Sequence, residues 1–411
     1  MQQSVKRLAC QPLDTVRIGF IGLGKRGQAA LERYMHLEGV EVKALCDLCS
    51  EHLIQGTQIL NTFHRPVPDS YQAEDGWKQV CRREDVDLIY VCTDWLTHTD
   101  MAVYAMLHHK HVALEVPAAM TVADCWRLVD TAEQTQRHCM MLENCCYDAY
   151  ALTTLNMAQL GVFGEITHVE GSYIHDLREH YFEPELRGKY ANQWMREYSR
   201  RHTGNPYPTH GLGPVCQWLG IHQGDRLDYL VSMSSKQAGL TDYAMRTFGS
   251  DSVDAKQDYE MGDVNSTLIR TVKGRTILLQ YDVVTPRPYS RHQMICGTRG
   301  FMQKYPIPCV MLDEKGKEPL SENQLKELME EYRHPFTRRI GEEARVKGVQ
   351  NEMNYIMDYR LVECLRNGWP LDQDVYDAAL WSCSTQLSEE SVRKGSVPVQ
   401  IPDFTRGHWE E

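Results

Sequence analysis

Val16-Arg17-Ile18-Gly19-Phe20-Ile21, followed by Gly22-Leu23-Gly24-Lys25-Arg26-Gly27, decides the fold. The first six residues are an apolar run fit for a buried parallel strand, and the next six spell G-x-G-x-x-G where a helix would begin. Gly22 permits the tight turn, Gly24 lets a pyrophosphate approach the backbone, and Gly27 lets helix and strand pack closely. The helix then points its N-terminal N–H groups at the phosphates. A second strand candidate, Val40 to Cys46, delivers Asp47. It stands 20 residues beyond Gly27, the distance at which this fingerprint places its ribose-binding acid. A carboxylate there accepts from both ribose hydroxyls and repels a 2′-phosphate, so the expected cofactor is NAD rather than NADP. The alternative, a glycine-rich turn with no ligand, is opposed by the strand before, the helix after and the spacing of the acid.

Length sets the outer frame. At 411 residues the chain exceeds the roughly 250 to 300 at which single cores stop growing. Two domains are expected: residues 1–146 as an NAD-binding Rossmann domain of α/β type, and residues 147–411 as a substrate-binding α+β domain with C-terminal helices. A hydrophobic share of 42% with 24% charged residues is that of a globular protein. The formal net charge of −12 gives no electrostatic reason to bind nucleic acid or an anionic membrane, so small-molecule chemistry is the expectation. The 14 cysteines follow no regular spacing. Several, such as Cys46, Cys92 and Cys139, fall in apolar strands where they act as small hydrophobes, which fits a reducing compartment. Cys46-Asp47-Leu48-Cys49 is formally C-x-x-C, but it straddles the ribose acid and has no second pair at zinc spacing, so no metal site is expected. No apolar signal-like region opens the chain, and no run approaches the ~20 apolar residues of a membrane span. The chain as given is expected to be soluble and cytoplasmic, or periplasmic or exported if a signal has been removed.

From Asp47 the αβ alternation continues. A helical stretch near Gly76 to Arg82 precedes the strand Val86 to Cys92, whose end carries Thr93-Asp94-Trp95-Leu96-Thr97-His98. Ligands of doubly wound sheets bind beyond the carboxyl ends of strands, so this loop is expected at the nicotinamide half of the cofactor. His108, His109, Lys110 and His111 read as cations at the end of a helix rather than as a metal cluster. The next strand ends in Glu115-Val116-Pro117, and a helix over 122–137 and a strand from Cys139 close the alternation at Asn144. In the order of its fingerprint, Asp94 to His98 loop and E-x-P turn, the sequence resembles the Gfo/Idh/MocA oxidoreductases. That family usually carries E-K-P, with the lysine near the reacting hydroxyl. Val116 stands in its place, so the resemblance implies a proton-transfer group from elsewhere.

Beyond Asn144 the pattern changes. After a helix over 149–160 come strand candidates at Ile166 to His175, Leu227 to Ser234, Asp263 to Val272, Arg275 to Thr285 and Gln293 to Cys296. Their β-branched residues and weak helical signals predict one open, largely antiparallel sheet, whose uncovered face can pair with a second copy in a homodimer. From Glu322 the pattern is helical, most clearly over 349–366 and 374–387. Two stretches interrupt the strands: Asn192-Gln193-Trp194-Met195-Arg196, and Gly204-Asn205-Pro206-Tyr207-Pro208-Thr209-His210-Gly211-Leu212-Gly213-Pro214. Proline fixes φ, so Tyr207 and His210 sit on a stiff turn before a helix that ends by Gly220, a good mounting for a proton carrier. The plainer alternative is a rigid loop with a hydrogen-bonded histidine.

These stretches, with Gly262-Asp263-Val264-Asn265-Ser266-Thr267-Leu268-Ile269, Arg287-Pro288-Tyr289-Ser290-Arg291 and Ile401-Pro402-Asp403-Phe404, extend the likeness through nearly the whole chain. It resembles glycoside hydrolase family 109, the NAD-dependent α-N-acetylgalactosaminidases, and its Y-P-T-H motif is far more specific than the Rossmann glycines. The resemblance implies cleavage of α-linked N-acetylgalactosamine from a glycan by transient oxidation at C3, elimination, addition of water and re-reduction, with NAD recycled. It implies that Lys25, Arg26, Asp47, Trp95, Leu96, Thr97, His98, Glu115, Val116 and Asn144 hold the cofactor. It also implies that Tyr173, Arg196, Tyr207, Pro208, Thr209, His210 and Tyr289 line the sugar pocket. Arg200 and Arg201 compete with Arg196, and Tyr173 can trade its role with His175. A C3 ketone acidifies the C2 hydrogen, so the expected proton carriers are His210 with Tyr173 or Tyr207. No spacing nominates the pair of opposed carboxylates of an ordinary glycosidase. A net sugar dehydrogenase and a non-catalytic NAD-bound sugar sensor are the other classes open to such a chain.

Overall fold

Strands β1 (Val16–Ile21), β2 (Val40–Cys46), β3 (Asp69–Tyr71), β4 (Leu88–Val91), β5 (His111–Leu114) and β6 (Cys139–Met141) form one sheet, in the order β3-β2-β1-β4-β5-β6. The structure is a computed structural model and describes residues 3–183 and 193–410, so Asn192 of the stretch before Arg196 lies outside the described residues. All pairings in this sheet are parallel. The strand order reverses between β1 and β4, the switch point of a doubly wound fold. Its apolar runs are buried: Phe20 stacks on Tyr90 at 4.9 Å and meets Tyr34 of the Lys25–Met35 helix edge-on at 5.6 Å. The short β3 escapes sequence reading because Asp-Ser-Tyr, just after Pro68, has no apolar run and forms the exposed edge.

By its internal contacts the chain divides into Met1–Asp148 with Pro335–Ser382, and Ala149–His334 with Cys383–Glu411. Residues 335–382, which sequence pattern leaves with the second domain, therefore pack with the first. A buried ion pair ties them there. Asp358 of the Glu352–Asn367 helix lies 2.7 Å from Arg33 Nε, with side chains 0% and 7% exposed. Removing one partner strands a buried charge, a cost of about 3–5 kcal/mol.

In the second unit, strands β7 (Ile166–Ile174), β8 (Leu227–Ser234), β9 (Asn265–Thr271), β10 (Thr276–Asp282), β11 (Ser290–Gly297), β12 (Gly300–Gln303), β13 (Cys309–Leu312) and β14 (Val399–Gln400) form a second sheet. Their order is β13-β12-β11-β7-β10-β9-β8-β14. β7 and β10 pair in parallel, and the other pairings are antiparallel. Strands β12 to β14, of four residues or fewer, are too short to show a period. The helix Gly239–Phe248 also went unread among the strands. The Thr209–Leu219 helix covers β7, β10 and β11, and Ala149–Gln159 packs against it. On the opposite face Met233 and Leu268 are 64% and 51% exposed.

Among the described residues no helix is long and apolar enough to cross a membrane, and all 14 cysteines are free of disulfides. Burial pushes the Cys46 thiol up to about 12, helped by the charge of Asp47, so the C-x-x-C carries no reactive thiolate at that end.

The histidine run at 108–111 disperses. His108 bonds back to the Tyr104 carbonyl at 2.9 Å, Lys110 reaches the Val86 carbonyl at 2.9 Å, and His111 opens β5. There His111 Nδ1 accepts from the His138 backbone N–H at 3.1 Å, with the two rings 5.2 Å apart. Burial lowers His111 to about 3 and His138 to about 4, and the neighbouring Arg137 charge adds to both. Both folded values lie below the unfolded value near 6.5. The unfolded chain therefore takes up these protons first as pH falls, so stability is full above pH ~6.5 and declines below it, by about 1.4 kcal/mol per pH unit for each imidazole. His138→Leu is expected to flatten the fall in unfolding free energy between pH 6.5 and 4.5. Equal slopes in denaturant titrations of the two proteins would refute this account.

Candidate functional site

In the first unit the glycine turn has the shape of a phosphate cradle. Gly22 adopts φ +90°, and a Cβ there would strike the Cys92 carbonyl. A Cβ on Gly27 would strike the Gly22 carbonyl, so this helix starts hard against β1. At Gly24, in contrast, nothing lies within 4 Å of a would-be Cβ, which leaves the backbone open to a ligand. The first turn of the Lys25–Met35 helix holds Lys25 and Arg26 and no acid. Cations oppose the positive end of a helix dipole, and a bound anion reverses that penalty. Asp47, at the end of β2, accepts from Leu23 N at 2.6 Å and from Cys49 N at 2.8 Å, with His52 Nδ1 at 3.2 Å. The turn and the acid thus form one hydrogen-bonded unit that fits a dinucleotide.

The loops after β4 and β5 hold one another. His98 is buried, with Nδ1 2.8 Å from the Pro117 carbonyl and Nε2 3.1 Å from that of Thr93. Either ring nitrogen can donate to the carbonyl it faces, and a neutral ring donates from one of them, which braces this histidine in place. Burial pushes this imidazole down, and the two carbonyls only partly offset it. Trp95 is buried, Leu96 is exposed, and the Thr97 hydroxyl lies 2.8 Å from that of Thr93. Glu115 is buried beside Val116 and accepts from Arg26 Nε at 3.0 Å and from the Tyr90 hydroxyl at 2.9 Å. Burial alone would raise its carboxyl, but Arg26, Tyr90 and Arg33 outweigh it and hold the group below the ordinary carboxylate value. Asn144 Nδ2 donates to Asn354 Oδ1 at 2.5 Å.

The second unit gathers the aromatic and imidazole side chains. Tyr173 and His175 extend from the end of β7, Tyr207 and His210 flank the start of the Thr209–Leu219 helix, and Tyr289 precedes β11. The Tyr173 ring lies 4.8 Å from Tyr207, 5.1 Å from His210 and 6.5 Å from Tyr289. Tyr207 and His210 are 4.9 Å apart, and His175 and Tyr289 5.1 Å. The Tyr173 hydroxyl and His175 Nδ1, 3.0 Å apart, form a proton-sharing pair. A glycine contact lets the helix come this close: a Cβ on Gly171 of β7 would strike the Gly211 carbonyl, and one on Gly211 would meet Ser172 N at 2.6 Å. Pro208 and Thr209 are buried at the helix start, and Asn205 Oδ1 accepts from Tyr207 N at 3.0 Å, which aims the turn.

A family model described as "Glycosyl hydrolase 109, C-terminal domain" matches residues 147–411, and one described as "Oxidoreductase family, NAD-binding Rossmann fold" matches residues 16–143. The chain belongs to glycoside hydrolase family 109. It is 70% identical to the glycosyl hydrolase family 109 protein 2 of Phocaeicola vulgatus, over 99% of both chains. It is also 62% identical to the α-N-acetylgalactosaminidase of Bacteroides fragilis, over 100% of this chain and 96% of that protein. Among solved structures it resembles a levoglucosan dehydrogenase in complex with NADH, at TM-score 0.72 and 16% identity over 95% of this chain and 100% of that one. That likeness concerns the fold.

In this family 109 chain Tyr173, His175, Tyr207, His210 and Tyr289, which span more than 100 positions in sequence, lie together. Arg196 does not join them. Its Nη1 pairs with Asp254 at 2.6 Å and its guanidinium stands 4.8 Å over Phe182. Sequence reading missed Arg291, buried and 6.0 Å over the Tyr289 ring, which donates to the Tyr305 hydroxyl at 3.2 Å. It closes the Arg287 to Arg291 turn, two residues beyond Tyr289. It also missed Asn354, for which no local signal exists. Gly211→Ala is expected to lift the helix from β7, at a cost of about 1–3 kcal/mol. It should lower turnover while the fold is retained. Unchanged melting temperature and kcat would show that the glycine contact does not set the cluster.

Proposed function

We propose that the protein is an NAD-dependent α-N-acetylgalactosaminidase that breaks the glycosidic bond by oxidation and elimination. The observation that carries this reading is the convergence of Tyr173, His175, Tyr207, His210 and Tyr289, two imidazoles and three phenols. Family membership and 62% identity to a protein of that name support it. Bound NAD supplies a hydride acceptor for C3 of the sugar and returns the hydride at the end of the cycle.

Every other step falls to the chain's own residues. Lys25 and Arg26 at the helix start, with Asp47, hold the pyrophosphate and ribose. With C3 oxidised, the C2 hydrogen is acidic enough for an imidazole or phenolate, and its loss expels the C1 oxygen; water then adds at C1 and a proton returns to C2 before C3 is reduced again. His210 and either Tyr207 or Tyr173 move the protons at O3 and C2. His175, at hydrogen-bond distance from Tyr173, gives that phenol a proton acceptor. Tyr289 contributes to the sugar pocket, whereas Arg196, held by Asp254, stands apart from this cluster. Val116 in place of the E-K-P lysine leaves this work to the imidazoles and tyrosines.

With an aryl α-N-acetylgalactosaminide in deuterated water, the released sugar is expected to carry deuterium at C2, without accumulation of NADH. His210→Ala should lower turnover by about 10²-fold or more. Full retention of the C2 hydrogen would rule out elimination, and NADH matching the sugar consumed would identify a net dehydrogenase.

The exposed sheet face bearing Met233 and Leu268 is the surface we assign to pairing with a second copy of the chain. Light scattering at micromolar concentration should give a dimer, and Leu268→Lys should shift it toward monomer. A parent protein that scatters as a monomer would overturn this assignment.

A further inference from the structure

We propose that Asn354 is a positioning residue for the cofactor, which sets the end of the Asn144 carboxamide that faces NAD. The inference rests on the reading that Asn144 holds the cofactor. A carboxamide carries two donors and one acceptor and can turn either end toward a ligand. Asn144, 3% exposed in the loop after β6, donates from Nδ2 to Asn354 Oδ1 at 2.5 Å. That bond commits the donor end to the protein. Oδ1, which among the described residues meets only the weak donor Cys145 Sγ at 3.5 Å, is then the end offered to a hydroxyl or amide N–H of the cofactor.

Asn354 is itself held rigidly. It is 2% exposed in the first turn of the Glu352–Asn367 helix, where its backbone N–H donates to Asn351 Oδ1 at 3.4 Å. One turn further along, Asp358 grips Arg33 of the helix that begins at the glycine turn. Positions i and i+4 share one helix face. That face therefore fastens both the loop after β6 and the first Rossmann helix, and residues 335–382 become part of the cofactor machinery.

Asn354 also lines a cavity of about 230 Å³ with Arg26, Arg33 and Asn351. Truncating it enlarges an existing space rather than opening a sealed void, so the variant should fold. A single hydrogen bond that orients a ligand-binding group is worth about tenfold in affinity.

The experiment is a double-mutant cycle on the full chain depleted of NAD, with NAD affinity read by calorimetry and folding by thermal unfolding. Asn354→Ala should weaken NAD about tenfold, and Asn144→Ala at least as much. The double variant should bind no more weakly than Asn144→Ala alone, because Asn354 acts through Asn144. Asn354→Asp keeps an acceptor for Asn144 Nδ2 and should stay within about threefold of the parent. It carries the test should the alanine variant fail to fold. Parental affinity in Asn354→Ala, losses that add in the double variant, or an aspartate variant weakened about tenfold from the parent would each overturn the proposal. Parental affinity in Asn144→Ala would remove its premise and the proposal with it, and that result is distinct from the other three.

Discussion

The approach of Gly171 to Gly211 is the constraint on which the second unit's chemistry depends. A helix normally rests on a sheet at side-chain distance, and any Cβ at either glycine would restore that distance. Because both are absent, the backbone of the Thr209–Leu219 helix sinks onto β7. His210 then falls beside Tyr173 and one turn of chain brings Tyr207 to the same ring. The proline-rich turn supplies stiffness and the glycines supply proximity. Proton transfer needs heavy atoms within hydrogen-bond reach, so a displacement of even 1 Å matters.

The first unit follows a different logic, in which buried charge is balanced rather than avoided. Glu115 stays ionised in the interior because Arg26, Tyr90 and Arg33 surround it. Arg33 is in turn balanced by Asp358, whose carboxyl burial pushes up to about 6. Such a network is costly to dismantle in parts. It also explains why a helix that follows seven of the eight strands of the second sheet in sequence belongs with the Rossmann strands: an unpaired Arg33 or Asp358 in that interior would be unstable.

Much of the fold was legible locally. The parallel strands β1, β2, β4, β5 and β6 announce themselves as apolar runs, and the fingerprint fixes what lies between the first two. β3, β12 and β14 were not legible, because they are neither continuous apolar runs like the equally short β4 to β6 nor long enough to alternate, and the apolar β13 was missed. Among site residues, Tyr207 and His210 stand out by their motif and Asp47 by its spacing. Glu115 and His98 were singled out in sequence as cofactor residues, and their side chains are committed to protein partners. Arg291 and Asn354 carry no motif of their own.

What the sequence by itself determined is whatever depends on neighbours a few residues away: strand and helix periods, the glycine turn, the acid at 20 residues, and the stiff Y-P-T-H turn. Tertiary structure alone decided which distant groups share a hydrogen bond or an ion pair. Asn144 and Asn354 are 210 residues apart, and Arg33 and Asp358 are 325 apart. No local pattern encodes such pairs, because the energy that selects them, satisfaction of a buried polar group, exists only once both have left water.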